Sequence, residues 1–500
     1  MLFVLSSSVK FIRKAAAVML LSMLALSCQM TDDYDCETDF GNARQYINVT
    51  ISVSADSNPV TRAPQGGEYG DGSEKGQDRE NVVNNITLIF YEDATGINTT
   101  AEATVACVQT YTVRAFTQDD YNNLAHTHKP GESSTLKENE VLYTTGDQKM
   151  EGTGLEAGKT YKLLVVANAN GEVNVNVGDK IKTDGSTIGL RDKVIGSIYT
   201  GTGTGVGIDA TNFVMTSEDD ATVILTNPTL KETENKLIYY FNCIHMERLA
   251  ARIDYYTTGS EYKSEYGGYK YNLGTSDNDG FYVVTSVTPF NLYNENEYLF
   301  KRVQDNWSAE SVTTYLGDET ESVGETAGNY VIDPKTNLKD NDDSHTLSYL
   351  SPIAQNMTNA YTVAMNSDDI GGQRYFIGNY HNIIIAYAKE NTLMPSSYLK
   401  KYATGIAFEA KYYANASATP VTHVFYHYLR HQGEKASGSY QAKEWLGLND
   451  TEVSNTNVSM NYGVVRNNIY RVEISGFTDR MQLKIKVKKW DKFTHEVIYM

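Results

Sequence analysis

The residues best suited to chemistry are His423, His427 and His431, spaced four apart, and two acid-rich stretches, "SDNDGF" at 276–281 and "KDNDDS" at 339–344. On a helix the histidines would stack on one face as candidate metal ligands. The intervening Val424, Phe425, Tyr426 and Tyr428 instead specify a strand, in which His423 and His427 stand ~13 Å apart and cannot share an ion. They therefore read as solvent-facing strand histidines. The acidic stretches lack the alternating-acid spacing and terminal Glu of a calcium loop and read as solvated turns. No GxxxxGK[ST], GxSxG or HExxH is found, and Gly201, Gly203, Gly205 and Gly207 alternate in a way that does not match a dinucleotide loop. Cys28, Cys36, Cys107 and Cys243 form no CxxC pair, so neither a zinc site nor a dense disulfide framework is indicated; a single Cys107–Cys243 bridge stays open. Nothing calls for a catalytic residue, a metal or a cofactor, and an extracellular hydrolase is the least favoured class.

The elements that carry these residues are mostly strands. The chain has 500 residues, with 41 % hydrophobic and 21 % charged, and its 37 Tyr against 9 Pro favour sheets. That length exceeds what one core usually organises, so two domains are expected. A net charge of −19 with no large basic block excludes nucleic acid and anionic lipid surfaces as natural partners.

The N-terminus reads as an export signal. Lys10, Arg13 and Lys14 precede an apolar run, Ala15 to Leu26, and "LALSC" ends at Cys28. The run is too short to span a bilayer, and no later stretch reaches the ~18 apolar residues a membrane helix needs. The start resembles a bacterial lipoprotein signal, with residues 1–27 removed and Cys28 lipidated.

Beyond a short polar tether, Ile47, Val49, Ile51 and Val53 alternate with Asn48, Thr50 and Ser52, the pattern of a strand with one buried face. Arg62-Ala63-Pro64 and a glycine-rich, charged linker follow as far as Glu80. Exposed backbone there invites proteolysis after Arg62. Further strand signals lie in "GKTYKLLVVANANG", "NFVMTS" and the long apolar run "LIYYFNCIHMERLAARIDYY", whose Tyr, Phe and Ile tip it from helix to strand. "KETENK" at 231–236 is the best domain boundary. At the C-terminus, Met481, Leu483, Ile485 and Val487 alternate with Gln482, Lys484, Lys486 and Lys488, and Trp490 follows. On its own, this is an amphipathic last strand in its own sheet.

"YINVTISVSADSNPVTRAP", "GKTYKLLVVANANG", "NFVMTS", "MERLAARID", "VVRNNIYRVEISGF" and "IKVKKWDKFTHEVIYM" resemble, in this order, landmarks of the Bacteroidetes fimbrillins, the pilins of type V pili, the short-fimbria subunits above all. The likeness runs from Tyr46 to Met500; the long loops do not match, and only Thr478 to Arg480 separate the last two strands where the short-fimbria subunits carry a long insert. The resemblance implies an all-β chain of two transthyretin-like β-sandwich domains, 63–233 and 234–500, behind a propeptide 28–62. It implies a lipoprotein of the outer membrane, cut by an Arg-specific protease between Arg62 and Ala63. The strand Ile47, Val49, Ile51, Val53 would then leave a groove. The donor strand Met481, Leu483, Ile485, Val487, Trp490 of another fimbrial subunit would fill it, building an extracellular adhesive fimbria. The alternative is a permanently lipid-anchored surface protein that binds glycans or host proteins through its loops.

Overall fold

In a computed structural model the described residues are 44–53, 73–92, 103–120, 141–169, 171, 173–181, 188–200, 211–217, 221–225, 228–231, 234–257, 260–302, 331–336, 362–365, 374–377, 380–392, 402–429, 463–477 and 481–491. Most of them are strand. The elements used below are β1 Arg44–Ser52, β2 Ser73–Lys75, β3 Asn85–Tyr91, β4 Val105–Thr112, β5 Leu142–Thr144, β6 Gln148–Lys149, β7 Thr160–Ala167, β8 Met215–Ser217 and β9 Lys236–Arg248. They continue with β10 Ala251–Tyr256, β11 Gly268–Asn272, β12 Phe281–Phe290, β13 Tyr380–Ala388, β14 Gly405–Tyr413, β15 Val421–Tyr428, β16 Asn468–Phe477 and β17 Met481–Asp491.

The chain divides into two compact units, 1–45 with 230–237, and 46–229 with 238–500. Within the first, the Arg44 amide donates to the Asn235 carbonyl at 3.3 Å. The second unit holds two hydrophobic cores.

The first core is enclosed by an 11-stranded sheet in which β4, β3, β7, β8, β9, β1 and β5 lie side by side in that order. Ile86, Leu88 and Phe90 of β3 and Leu163 and Val165 of β7 pack there with Ile47, Val49 and Ile51 of β1. The second core lies between two six-stranded sheets, β2–β17–β16–β10–β13 with Arg374–Ile377, and Glu261–Lys263 with β11–β12–β14–β15. Ile253 and Tyr255, Tyr470 and Val472, and Ile383 come from one sheet; Tyr269, Val284 and Phe408 come from the other. Two sheets meeting through their apolar faces make a β-sandwich.

The long run 237–256 is strand, as its aromatic and β-branched residues require, but it is broken at Leu249–Ala250. Ile244, Met246, Leu249 and Ala250 belong to the first core, Ala251, Ile253 and Tyr255 to the second. β9 is therefore a strand of the first core, and the change of core falls at 250/251 rather than at the charged 231–236 segment. A polar run marks where chain meets solvent; here the change from core to core occurs inside an apolar run, with no polar signal. Among the described residues no helix is long and apolar enough to cross a membrane.

Candidate functional site

The histidine and acid signals do not converge. β15 is a strand, pairing His423 with Ala410 and His427 with Ile406 on β14, and His431 lies outside the described residues. His427 is not solvent-facing: it is buried, its Nε2 has no hydrogen-bond partner, and burial lowers its pKa to about 4. Its strand period turns it inward together with its apolar neighbours. Asp279 accepts the Ser276 amide at 2.9 Å and Asp277 pairs with Lys270, so 276–280 is a self-satisfied turn. The 339–344 stretch lies outside the described residues. Among the described residues no group of three His, Cys, Asp or Glu is placed to hold a metal. Cys107 is a free, buried thiol whose pKa burial raises to about 11, so the bridge to Cys243 is not made.

The two ends carry more. Ile47, Val49 and Ile51 are 0 % exposed and Val53 is 2 % exposed. β1 is also an interior strand. It lies between β9 and β5 in strand order, with Thr50, Ile51 and Ser52 antiparallel to Thr144, Tyr143 and Leu142. Further along, Tyr46 and Ile47 pair with Lys149 and Gln148 of β6. Between β5 and β6 the chain grips β1: Val49 N donates to Thr145 Oγ1 and Thr145 N to Val49 O, each at 3.0 Å.

The second face of β1 is covered as well. Thr50 and Ser52 are buried, which alternation with an apolar face does not foretell. Asn48 is half-buried; its Nδ2 donates to Asp147 Oδ1 at 3.0 Å and its Oδ1 accepts from Thr144 Oγ1 at 2.8 Å. Beside Asp147 opens a depression of about 450 Å³ lined by Tyr46, Gln109, Tyr111, Gln148, Glu151 and Thr153.

Magnitude shows what β1 does for the fold. Burying Ile47, Val49, Ile51 and Val53 is worth ~1.5–3 kcal/mol each, or about 6–12 kcal/mol together, and ladder hydrogen bonds add about 1 kcal/mol apiece. A domain's whole net stability is about 5–15 kcal/mol. The burial of β1 is thus comparable to a domain's whole net stability.

β17 sits in its own chain's sheet. It pairs antiparallel with β16 from Asn468–Lys489 to Phe477–Met481, with an irregularity between Ile474 and Gly476. Met481 and Ile485 are buried in the second core, and Leu483 packs against it. The other edge of β17 pairs parallel with β2, Ser73 to Lys489 and Lys75 to Asp491. The side chains of Val487 and Trp490, the hinge 478–480, Cys28 and the Arg62–Ala63 bond lie outside the described residues.

Sequence reasoning missed a buried polar network just past the linker. Glu80, in the 3-10 turn Asp78–Asn81, pairs with Arg252 at 2.9 Å and accepts the Tyr387 hydroxyl; all three side chains are buried. Arg252 also forks onto Asp254, at 3.0 Å from Nε and 2.9 Å from Nη2. Asn382 Nδ2 donates to Asp254 at 2.8 Å. Arg248 Nε donates to the Glu80 carbonyl at 3.1 Å. Burial raises the pKa of Asp254 although Arg252 opposes the shift, and burial, then the Glu80 charge, lifts Tyr387 well above the ordinary phenol. A second buried group joins Arg466 to Glu390 at 2.7 Å and to Glu297 at 3.4 Å. The only sequence signal was the charge inside the apolar landmarks "MERLAARID" and "VVRNNIYRVEISGF".

No family model matches the chain, and no curated protein does. Among solved structures it is similar to a fimbrilin from Porphyromonas gingivalis, with 11 % identity over 91 % of this chain and 99 % of that one and a TM-score of 0.39. It is also similar to a C-terminally truncated tip fimbrial protein from the same organism, with 10 % identity over 89 % of this chain and 100 % of that one and a TM-score of 0.33. A fimbrial assembly protein from Parabacteroides distasonis aligns at 11 % identity over 89 % of this chain and 99 % of that one, with a TM-score of 0.33.

Proposed function

We propose that the chain is a structural and adhesive subunit of a cell-surface fimbria, matured by loss of its first strand. In this reading residues 1–27 direct export and Cys28 anchors the precursor to the outer membrane. An Arg-specific protease cuts between Arg62 and Ala63, β1 leaves with the anchor, and β17 of another subunit enters the vacated groove. The two cores then act as two domains, one accepting a strand and the other supplying it. The supporting observation is the burial of β1: the first of the described strands, ending ten residues before Arg62, is interior to a sheet and fully covered on its apolar face. A covalently separable segment at that position is a natural placeholder, because its loss opens apolar surface and unpaired ladder groups that require a replacement.

The test is Arg62→Ala, followed by electron microscopy of the cell surface and mass spectrometry of the mature N-terminus. Wild-type fibres are expected to begin at Ala63, and the variant to remain an anchored monomer starting at lipidated Cys28. Fibres from the variant would end the proposal.

A permanently anchored surface binding protein for glycans or host proteins is the second reading, favoured by the seating of β17 in its own sheet. It requires Cys28 as the N-terminus of the wild-type protein at the cell surface.

A further inference from the structure

We propose that Glu297 is a proton-held latch at the seam between the two cores, a neutral acid while the seam is closed, whose ionisation loosens the strap 297–302. The inference goes beyond the fimbrial reading and does not depend on strand exchange.

The seam is where the chain passes from one core to the other. Leu292 lies in the second core, Leu299 and Phe300 in the first; likewise Val465 lies in the second and Ile469 in the first. Glu297 and Arg466 stand on these two crossings. The strap is tied down along its length. Glu297 and Tyr298 pair antiparallel with Ile195 and Val194, and the Leu299 amide donates to the Lys193 carbonyl at 2.8 Å. Arg466 Nη1 donates to the Leu299 carbonyl at 2.9 Å. Lys301 pairs with Glu247 at 2.8 Å and Arg302 with Asp192 at 3.3 Å.

Glu297 is fully buried, and among the described residues neither of its oxygens has a hydrogen-bond partner. Arg466 Nη2 stands 3.4 Å away, but an Nη carries only two hydrogens. Both are taken, by the Tyr298 carbonyl at 2.6 Å and by Glu390 at 2.7 Å. Arg466 Nε makes no hydrogen bond to Glu297 either. The local charge leads to the same state. Arg466, Lys389, Glu390 and Asp333 act on Glu297, and the Lys301–Glu247 pair lies beyond Arg466. Three cations already balance three carboxylates. An ionised Glu297 would be a fourth negative charge, buried and without a donor, and burying such a group is costly. Burial accordingly raises its pKa well above the ordinary 4.5; Arg466 opposes the rise and Glu390 adds to it.

The remaining titratable groups do not supply the missing partner. On the same segment, Glu295 is exposed, and Tyr293 and Tyr298 are phenols whose pKa burial raises. On the facing segment, Lys193 is held by Asp179 at 2.6 Å, and Arg191 interacts electrostatically with Arg302, Asp192 and Tyr91.

Opening the strap hydrates Glu297 and returns its pKa toward 4.5. Between 4.5 and the closed-state pKa, the closed seam holds a proton that the open one releases. Each unit rise in pH then favours opening by up to tenfold. Below 4.5 both states hold the proton and the dependence vanishes. Acid tightens the seam and alkali loosens it.

The test is hydrogen exchange of residues 297–302 in the full uncut chain, read by mass spectrometry from pH 5 to 8. Wild type is compared with Glu297→Gln at each pH, so that the intrinsic exchange rate cancels. The protection of the variant relative to wild type is expected to rise with pH, by up to tenfold per unit. Should Glu297→Gln not fold, the same comparison is made with Glu390→Gln, which frees Arg466 to serve an ionised Glu297 and should give the same rise. A ratio of variant to wild type that stays constant from pH 5 to 8, or that falls, would overturn the latch.

Discussion

Ile51→Ala separates the precursor from the assembled state. Ile51 is 0 % exposed and lies in the first core, one residue before the end of β1. Truncating a buried Ile to Ala removes its transfer free energy and leaves a cavity, costing about 2–5 kcal/mol. In an uncut chain that is a large share of a net stability of about 5–15 kcal/mol. Urea unfolding of the uncut protein is expected to show this loss as a lower midpoint with an unchanged slope. If residue 51 departs with β1, fibres grown from the same variant contain no trace of the substitution. Their resistance to heat and detergent should equal that of wild-type fibres. A matching loss in fibre stability would show that β1 stays in place after assembly and would refute the placeholder argument. An uncut variant as stable as wild type would refute the burial argument on which the magnitude rests.

Three further outcomes follow from the buried groups. Arg252→Ala leaves Glu80 and Asp254 buried without their shared cation and should lower stability by about 3–5 kcal/mol in urea unfolding; an effect below 1 kcal/mol would count against the network. His427 has a folded pKa of about 4 against an ordinary 6.5, so the unfolded chain protonates first as pH falls. Stability from this group is whole above pH 6.5 and is lost between 6.5 and 4, by about 3 kcal/mol in all. His427→Leu should flatten that part of the pH–stability curve by the same amount. Cys107, buried and with a pKa of about 11, should resist alkylation at pH 8 in the native protein and react on unfolding, as peptide mapping would show.

What was legible in the sequence was what repeats locally. The period-2 run Ile47, Val49, Ile51, Val53 marks a half-buried strand because alternate side chains fall on one face, and the structure buries those four. Strand rather than helix at 236–248 and 421–428 followed from the density of β-branched and aromatic side chains. The second covered face of β1 was illegible, since Thr50 and Ser52 look the same whether they meet solvent or another layer. The Glu80–Arg252 pair was equally hidden: its members lie 172 residues apart, and charge in a sequence reads as surface until a partner is in view.

The placement of the two end strands bears on the energetics of exchange. Moving Met481, Leu483 and Ile485 from one core to another returns on entry about what it removes on departure, ~1.5–3 kcal/mol for each side chain at full burial. Apolar burial of the tail therefore cannot drive assembly by itself. The asymmetry lies in what each departure leaves. β1 is interior, between β9 and β5, so losing it breaks ladders on both edges and exposes the middle of a core. β17 has a full ladder only with β16; its other edge meets the three residues of β2. In the strand-exchange reading, once proteolysis has emptied the interior position, filling it at the cost of a near-edge strand would lower the free energy. β2 meanwhile stays on the retained side of the cut, leading into the turn whose Glu80 is locked to Arg252 and Tyr387. On that reading, cleavage would open the first core without loosening the hold of β2 on the outer edge of β17. In the strand-exchange reading, emptying the acceptor and releasing the donor are physically separate steps, and the second is opposed by the β16 and β2 ladders until a neighbour's vacancy is available.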